Sequence, residues 1–153
     1  MCSSDLSLDG QTVATASRSL GGNGYPGVKL WRYDASSGEW DNKGWGILQP
    51  TDLLQGAASE ISMALSDDAH VVFLGLQGVS RGCIWRLDSN QDTWSTPVTI
   101  SLDQGQHMNA VHTSFTGAVV AACLSTGVVR VWEWDTLSSQ YVPLGKDMQI
   151  GRA

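Results

Sequence analysis

Hydrophobic and polar residues alternate with a period of two over many short stretches of this chain. Val28, Leu30 and Arg32 fall on one face, and Lys29, Trp31 and Tyr33 on the other, which is the pattern of a half-buried strand. Residues 13–17 alternate small and β-favouring side chains in the same way. Residues 70–76 are nearly all apolar apart from His70, as expected of a strand buried on both faces. Further strands are predicted over 61–65, 83–87, 93–101, 110–115, 119–124, 128–134 and 141–144, and a Trp-rich, edge-like strand over 39–48. No stretch keeps a helical period over ten or more residues, so the predicted class is all-β. Turn chemistry separates the runs: Asp9-Gly10 suits a tight hairpin, and the five Gly and Pro residues between Leu20 and Val28 demand a loop.

The same pattern is written three times. Trp31-Arg32-Tyr33-Asp34 returns as Trp85-Arg86-Leu87-Asp88 and as Trp132-Glu133-Trp134-Asp135. An aromatic follows each Asp by six residues: Trp40, Trp94 and Tyr141. Upstream, Asp9-Gly10, Asp68-Ala69 and Thr116-Gly117 mark equivalent turns. The Trp residues are 54 and 47 residues apart, and the loops absorb most of that difference. Each unit has room for four short antiparallel strands, the signature of propeller blades. The repeats are assigned to residues 7–60, 61–107 and 108–149. Ser3-Ser4-Asp5-Leu6 and Ile150-Gly151-Arg152-Ala153 match translations of a common sequencing adapter and of its reverse complement. Residues 1–6 and 150–153 are therefore read as artefactual ends of a translated fragment, outside the fold.

The run Asp9-Gly10, Ala14, Ala16, Ser17 and then Gly27-Val28-Lys29-Leu30-Trp31 resembles half of a WD-repeat blade, and residues 114–132 resemble it again. The Gly-His dipeptide of that family is absent, and each Asp lies three residues after its Trp instead of directly after it. The second half of each unit, from Asp34 to Trp40, Asp88 to Trp94 and Asp135 to Tyr141, is similar to a kelch blade. The resemblance implies a β-propeller, WD-repeat-like. A closed propeller needs at least four blades, so about three units predict a partial one.

Composition narrows the partners. A net charge of −6 argues against nucleic acid, and no apolar run reaches transmembrane length. The three cysteines form no C-x-x-C pair, which leaves zinc and thioredoxin-like chemistry without support. Cys83 and Cys123 lie in apolar strand runs, which leans towards a reducing, intracellular compartment. His70, His107 and His112 are scattered, and Asp67-Asp68 occupies a turn, so no catalytic or metal constellation is expected. The Asp of each copy is read as a turn cap. Trp31, Trp85 and Trp132 are read as packing anchors between units, since a recurring residue serves the recurring fold. By the WD-repeat resemblance, partners would bind loops 18–27, 51–59, 77–81, 103–107 and 125–127. Arg18, Tyr25, Arg81 and His107 are the candidate contacts there. The expectation is a non-catalytic scaffold for a protein or peptide partner, without cofactor. The alternative is a propeller enzyme or a carbohydrate-binding lectin whose site lies largely in blades beyond this sequence.

Overall fold

The computed structural model describes residues 2–20, 24–42, 46–50 and 58–150. It forms three antiparallel sheets in chain order. The first holds β1 (Cys2–Leu6), β2 (Thr12–Ser17), β3 (Gly27–Asp34), β4 (Glu39–Asp41) and β5 (Ile47–Leu48). The second holds β6 (Ile61–Leu65), β7 (Val71–Leu76), β8 (Arg81–Asp88), β9 (Thr93–Trp94) and β10 (Val98–Ser101). The third holds β11 (Met108–Thr113), β12 (Val119–Leu124), β13 (Val128–Asp135), β14 (Gln140–Pro143) and β15 (Met148–Gln149). Each sheet is a meander whose fourth position is split: β4 and β5 both pair with β3, β9 and β10 with β8, and β14 and β15 with β13. The sequence predicted one continuous return strand in each unit. In the second sheet the break falls at residues 95–97, where Pro97 has no N–H for the ladder.

Two differences concern the ends. Residues 1–6 were set outside the fold, yet Cys2–Leu6 is the first strand of its sheet, in register with Ser17–Val13. The Asp5 carboxylate accepts a hydrogen bond from the Leu65 N–H at 2.8 Å, joining the first sheet to the second. A coding match at the nucleotide level says nothing about whether a peptide can complete a sheet, and this one does. Of the other end, Ile150 donates its N–H to the Gly127 carbonyl, and residues 151–153 lie outside the described residues. So do Gly21 and Gly22 of the first long loop and residues 51–57 of the first connector.

Packing follows from the second strand of each sheet. β2 buries alternate residues beginning with Thr12, β12 buries the opposite alternation, and β7 is buried throughout. The reason is position. One core joins Ala14, Ala16, Val28 and Leu30 of the first sheet to Val72, Leu74, Leu76 and Trp85 of the second. The other joins Val71, Phe73 and Ile84 to Val120, Ala122, Leu124 and Trp132 of the third. The middle sheet therefore has a neighbour on both faces, and each outer sheet has one. Trp31, Trp85 and Trp132 stand opposite Val13, Val72 and Val120, the same register position three times. All three point back towards the preceding sheet. Trp85 and Trp132 find one and are 2% and 4% exposed. Trp31 has none among the described residues; it is half-buried, with the Lys29 ammonium 4.2 Å above its ring.

The innermost strands β1, β6 and β11 lie side by side, and the turns beside them are cross-linked. Leu8 donates to the Asp67 carbonyl at 3.0 Å, and Asp68 to the Phe115 carbonyl at 3.1 Å. Those turns need one left-handed residue each: Gly10 at φ 69°, Ala69 at φ 61° and Gly117 at φ 67°. Gly117 has a second constraint, because a Cβ there would lie 2.3 Å from the Val71 side chain of the sheet before it. Gly117→Ala is expected to lower unfolding stability by about 2–4 kcal/mol, combining left-handed strain with overpacking. Ala69→Gly, which relieves strain at the matching site, is expected to be neutral to stabilising, by up to about 1 kcal/mol. Urea denaturation of the two variants beside the parent checks both signs.

Candidate functional site

The antiparallel meander sends two sets of loops to opposite ends of the sheets. One end carries the loop from the second strand to the third and the connector to the next sheet. All four candidate contact residues lie there. Arg18 and Tyr25 belong to the β2–β3 loop, Arg81 opens β8, and His107 ends the β10–β11 connector. Arg18 donates from its guanidinium to the Ser59 carbonyl across the connector. Tyr25 is 36% exposed, and Arg81 and His107 are half-buried. The loops are held by backbone bonds: Ser59 to Gln77 and Gln77 to Glu60, Leu102 to Ser80, and Ser125 to His107. The His107 N–H in turn donates to the Ser125 hydroxyl at 3.2 Å. Among the described residues, the backbone beside Arg81 and at His107 is thus pinned to a neighbouring segment.

The opposite end carries the first and third turns of each sheet, and here the repeated polar residues act. Asp34 accepts from the N–H and hydroxyl of Ser36 and from the Ser37 hydroxyl. Asp88 accepts from the N–H groups of Asn90 and Gln91, and Asp135 from those of Leu137 and Ser138 and from the Ser138 hydroxyl. In the first turns, Ser7 and Ser66 each donate a hydroxyl at 2.6 Å to the Asp two residues on, and each accepts from the N–H five residues on. Ser114 accepts the equivalent N–H of Val119. Sequence reasoning named the Asp of this turn and missed the Ser. Its signal was available: a serine two residues before Asp9, Asp68 and Thr116 in all three copies.

These bonds hold carboxyls in their charged form. Asp9 is kept below its ordinary 3.8 by the Ser7 hydroxyl and then the Gln11 N–H. The Ser36 hydroxyl and N–H and then the Ser37 hydroxyl do the same for Asp34, and the Ser138 hydroxyl and then the Leu137 N–H for Asp135. Because the folded values lie below the unfolded ones, the stabilisation is full above 3.8 and fades as pH falls through the lowered values. Denaturation midpoints are therefore expected to fall between pH 6 and pH 3. The combined Asp9→Asn, Asp34→Asn, Asp135→Asn variant should show a smaller fall over the same interval, and an equal fall would contradict the assignment.

Between the second and third sheets lies a groove of ≈ 490 Å³ with Arg86 in its wall. The Arg86 guanidinium carbon stands 4.4 Å from the centre of the Trp134 ring and 5.9 Å from that of Tyr141. Its Nη1 donates to the Tyr141 hydroxyl at 2.7 Å and to the Gly117 carbonyl at 3.4 Å. The Tyr141 hydroxyl donates onward to the same carbonyl at 2.6 Å. Trp134 and Tyr141 meet edge to face, ring centres 5.1 Å apart. Burial raises the phenol pKa, and the Arg86 charge and hydrogen bond pull against that rise. Removing the hydroxyl would leave the Gly117 carbonyl and an Arg86 donor short of a partner. Tyr141→Phe is expected to cost about 1–3 kcal/mol in thermal or urea unfolding.

Of the three histidines, His70 pairs Nδ1 with Asp68 at 3.3 Å in an exposed turn, His112 is exposed on β11, and His107 is in the connector. Among the described residues no three His, Cys, Asp or Glu side chains converge as metal ligands. Nor is any helix there long and apolar enough to cross a membrane.

Three four-position antiparallel sheets, stacked through a Trp in the third strand, make this a β-propeller-like fold, and the sheets are its blades. Solved structures share it. A candidate 6-phosphogluconolactonase from Bacteroides fragilis superposes with a TM-score of 0.69 at 17% identity, covering 96% of this chain and 38% of that one. Another from Bacteroides uniformis gives 0.66 at 14% identity, covering 96% and 40%. The WD40 repeats of RRP9 give 0.61 at 13% identity, covering 96% and 38%. At these identities the likeness is one of fold. The chain spans about two fifths of the length of the structures it matches. No protein-family model matches it, and no curated protein does.

Proposed function

We propose that the chain contributes WD-repeat-like blades to a propeller that acts as a non-catalytic scaffold for a protein or peptide partner. Further blades complete the ring in this reading, in keeping with the two fifths of a solved propeller that the chain spans. The observation that carries the proposal is the loop platform. Arg18, Tyr25, Arg81 and His107 come from three separate segments to one end of the sheets, and backbone bonds between loops and connectors hold the described part of that end. Arg and Tyr are the residue types that most often dominate an interface, and a rigid platform reduces the ordering cost of binding.

Affinity capture with the full-length protein tests the proposal. The parent is expected to retain a specific partner. Replacing Arg18, Tyr25, Arg81 and His107 together by Ala is expected to lower retention at least about tenfold. Leu137→Ala, in an exposed turn at the other end, should leave retention unchanged. Equal retention by the parent and the fourfold variant, or no partner above background, would reject the platform.

A second reading has one observation in its favour: two of the similar structures are named for a lactonase activity. Hydrolysis of 6-phosphogluconolactone by the full-length protein, above the spontaneous rate, would replace the scaffold reading with an enzymatic one.

A further inference from the structure

The two blade interfaces differ at one register position, and the difference leaves a guanidinium without a carboxylate. Arg32 and Arg86 are the same residue of successive blades, each one position after the Trp and directed forward to the next blade. At the first interface Arg32 reaches Asp92 of the second blade, Nη2 to Oδ1 at 3.3 Å. Asp92 lies four residues after Asp88, in a left-handed conformation at φ 51°. The matching residue of the third blade, four after Asp135, is Ser139 at φ 54°. The backbone is thus repeated while the carboxylate is not.

Arg86 faces Ser139 across the ≈ 490 Å³ groove that both residues line. Its Nη1 is engaged by Tyr141 and Gly117, and its central carbon lies over the Trp134 ring. Its Nε and Nη2 have no acceptor among the described residues. Asp88 also lines the groove; its Oδ1 accepts from Asn90 and Gln91 of its own turn, and no hydrogen bond or ion pair joins it to Arg86. The ring contact and the Nη1 bonds hold the guanidinium in place, so little freedom is lost when its remaining donors meet an acceptor, and that edge of the fork matches a carboxylate in two parallel bonds. The outermost strand β10 runs along the groove wall through Val98 and Thr99, with no further strand paired outside it among the described residues. An extended chain therefore has room beside it.

We propose that this groove binds the acidic side chain of an extended peptide, whose carboxylate takes the place that Asp92 fills at the first interface. The site is at the opposite end of the sheets from the loop platform and stands whether or not that platform binds a partner.

The probe is acetyl-Gly-Glu-Gly-amide, with acetyl-Gly-Gln-Gly-amide and sodium acetate as comparisons. The readout is the Nε–Hε resonance of Arg86 in ¹⁵N-labelled protein, assigned with Arg86→Lys. A saturable shift with the Glu peptide, at least about tenfold weaker with the Gln peptide and with acetate, is the expected result. Ser139→Asp should supply the carboxylate from within. It is expected to move the Arg86 resonance before any peptide is added and to weaken the Glu peptide at least about tenfold. Asp is already accommodated at this left-handed position in the second blade, so the variant retains the fold. No saturable shift, or Ser139→Asp titrating like the parent, would overturn the site. An acetate response equal to that of the peptide would overturn the peptide as its source.

Discussion

A four-position sheet has two apolar faces and can hide each only against another sheet. That requirement shapes the molecule. It explains why β7 is buried along its whole length while β2 and β12, the same strand in the flanking blades, bury opposite alternations. Val occurs in all three strands, and apolar content follows burial: β7 is Val-Val-Phe-Leu-Gly-Leu, while β2 and β12 carry smaller residues on the face that lacks a neighbour. The cause is how many neighbours each sheet has. Burial in a repeat fold belongs to the interface between units, and stability is then close to a sum of interface contributions. The Trp residues show it most plainly: one register position is nearly sealed in Trp85 and Trp132 and half-open in Trp31.

Much of this was legible in the sequence because repetition converts a weak local signal into a strong one. A single Trp-Arg-Tyr-Asp tetrapeptide says little. Three copies, each with an aromatic six residues past the Asp, define a hairpin whose strands pair Tyr33 with Trp40, Leu87 with Trp94 and Trp134 with Tyr141. The caps at Asp34, Asp88 and Asp135 follow from spacing alone, since an Asp two or three residues before free N–H groups has a local partner. The first strand was not legible: Cys-Ser-Ser-Asp-Leu has no apolar alternation, and its pairing depends on β2 lying alongside. The break in the fourth strand was hidden too, because both halves pair with one long partner. As for the candidate site, the platform residues could be placed by loop order. The Arg86 cluster could not, because Trp134, Tyr141 and Gly117 come from a different blade and meet Arg86 only through the stacking of sheets.

The same comparison separates what serves the fold from what distinguishes one interface from another. Turn serines, capping aspartates and third-strand Trp residues repeat in every copy. The residue after the Trp does not: Arg32, Arg86, then Glu133. Nor does the fourth residue after the Asp: Gly38, Asp92, then Ser139. Both positions lie at the end of the sheets away from the loop platform, and both face the seam between blades. There a substitution changes chemistry without disturbing the ladder. The Arg32–Asp92 pair is largely exposed and contributes little to stability. The Arg86 cluster is half-buried, stacked and hydrogen-bonded, so it contributes more.

This register logic also bears on what could cover the open flank of the first blade. Tyr33 and Trp40 pair there with ring centres 5.5 Å apart, in the position that Trp134 and Tyr141 occupy in the third blade. At the internal interface that aromatic pair receives a guanidinium. A sheet docking on the first blade in the same way would bring its own residue after the Trp over Tyr33 and Trp40. A second copy docking through its third blade would bring Glu133, whose carboxylate meets the negative faces of two rings. A sheet bearing Arg or Lys at that position would instead gain a cation–π contact. An aromatic pair of this kind is therefore matched to a residue such as Arg32 or Arg86 and mismatched to one such as Glu133.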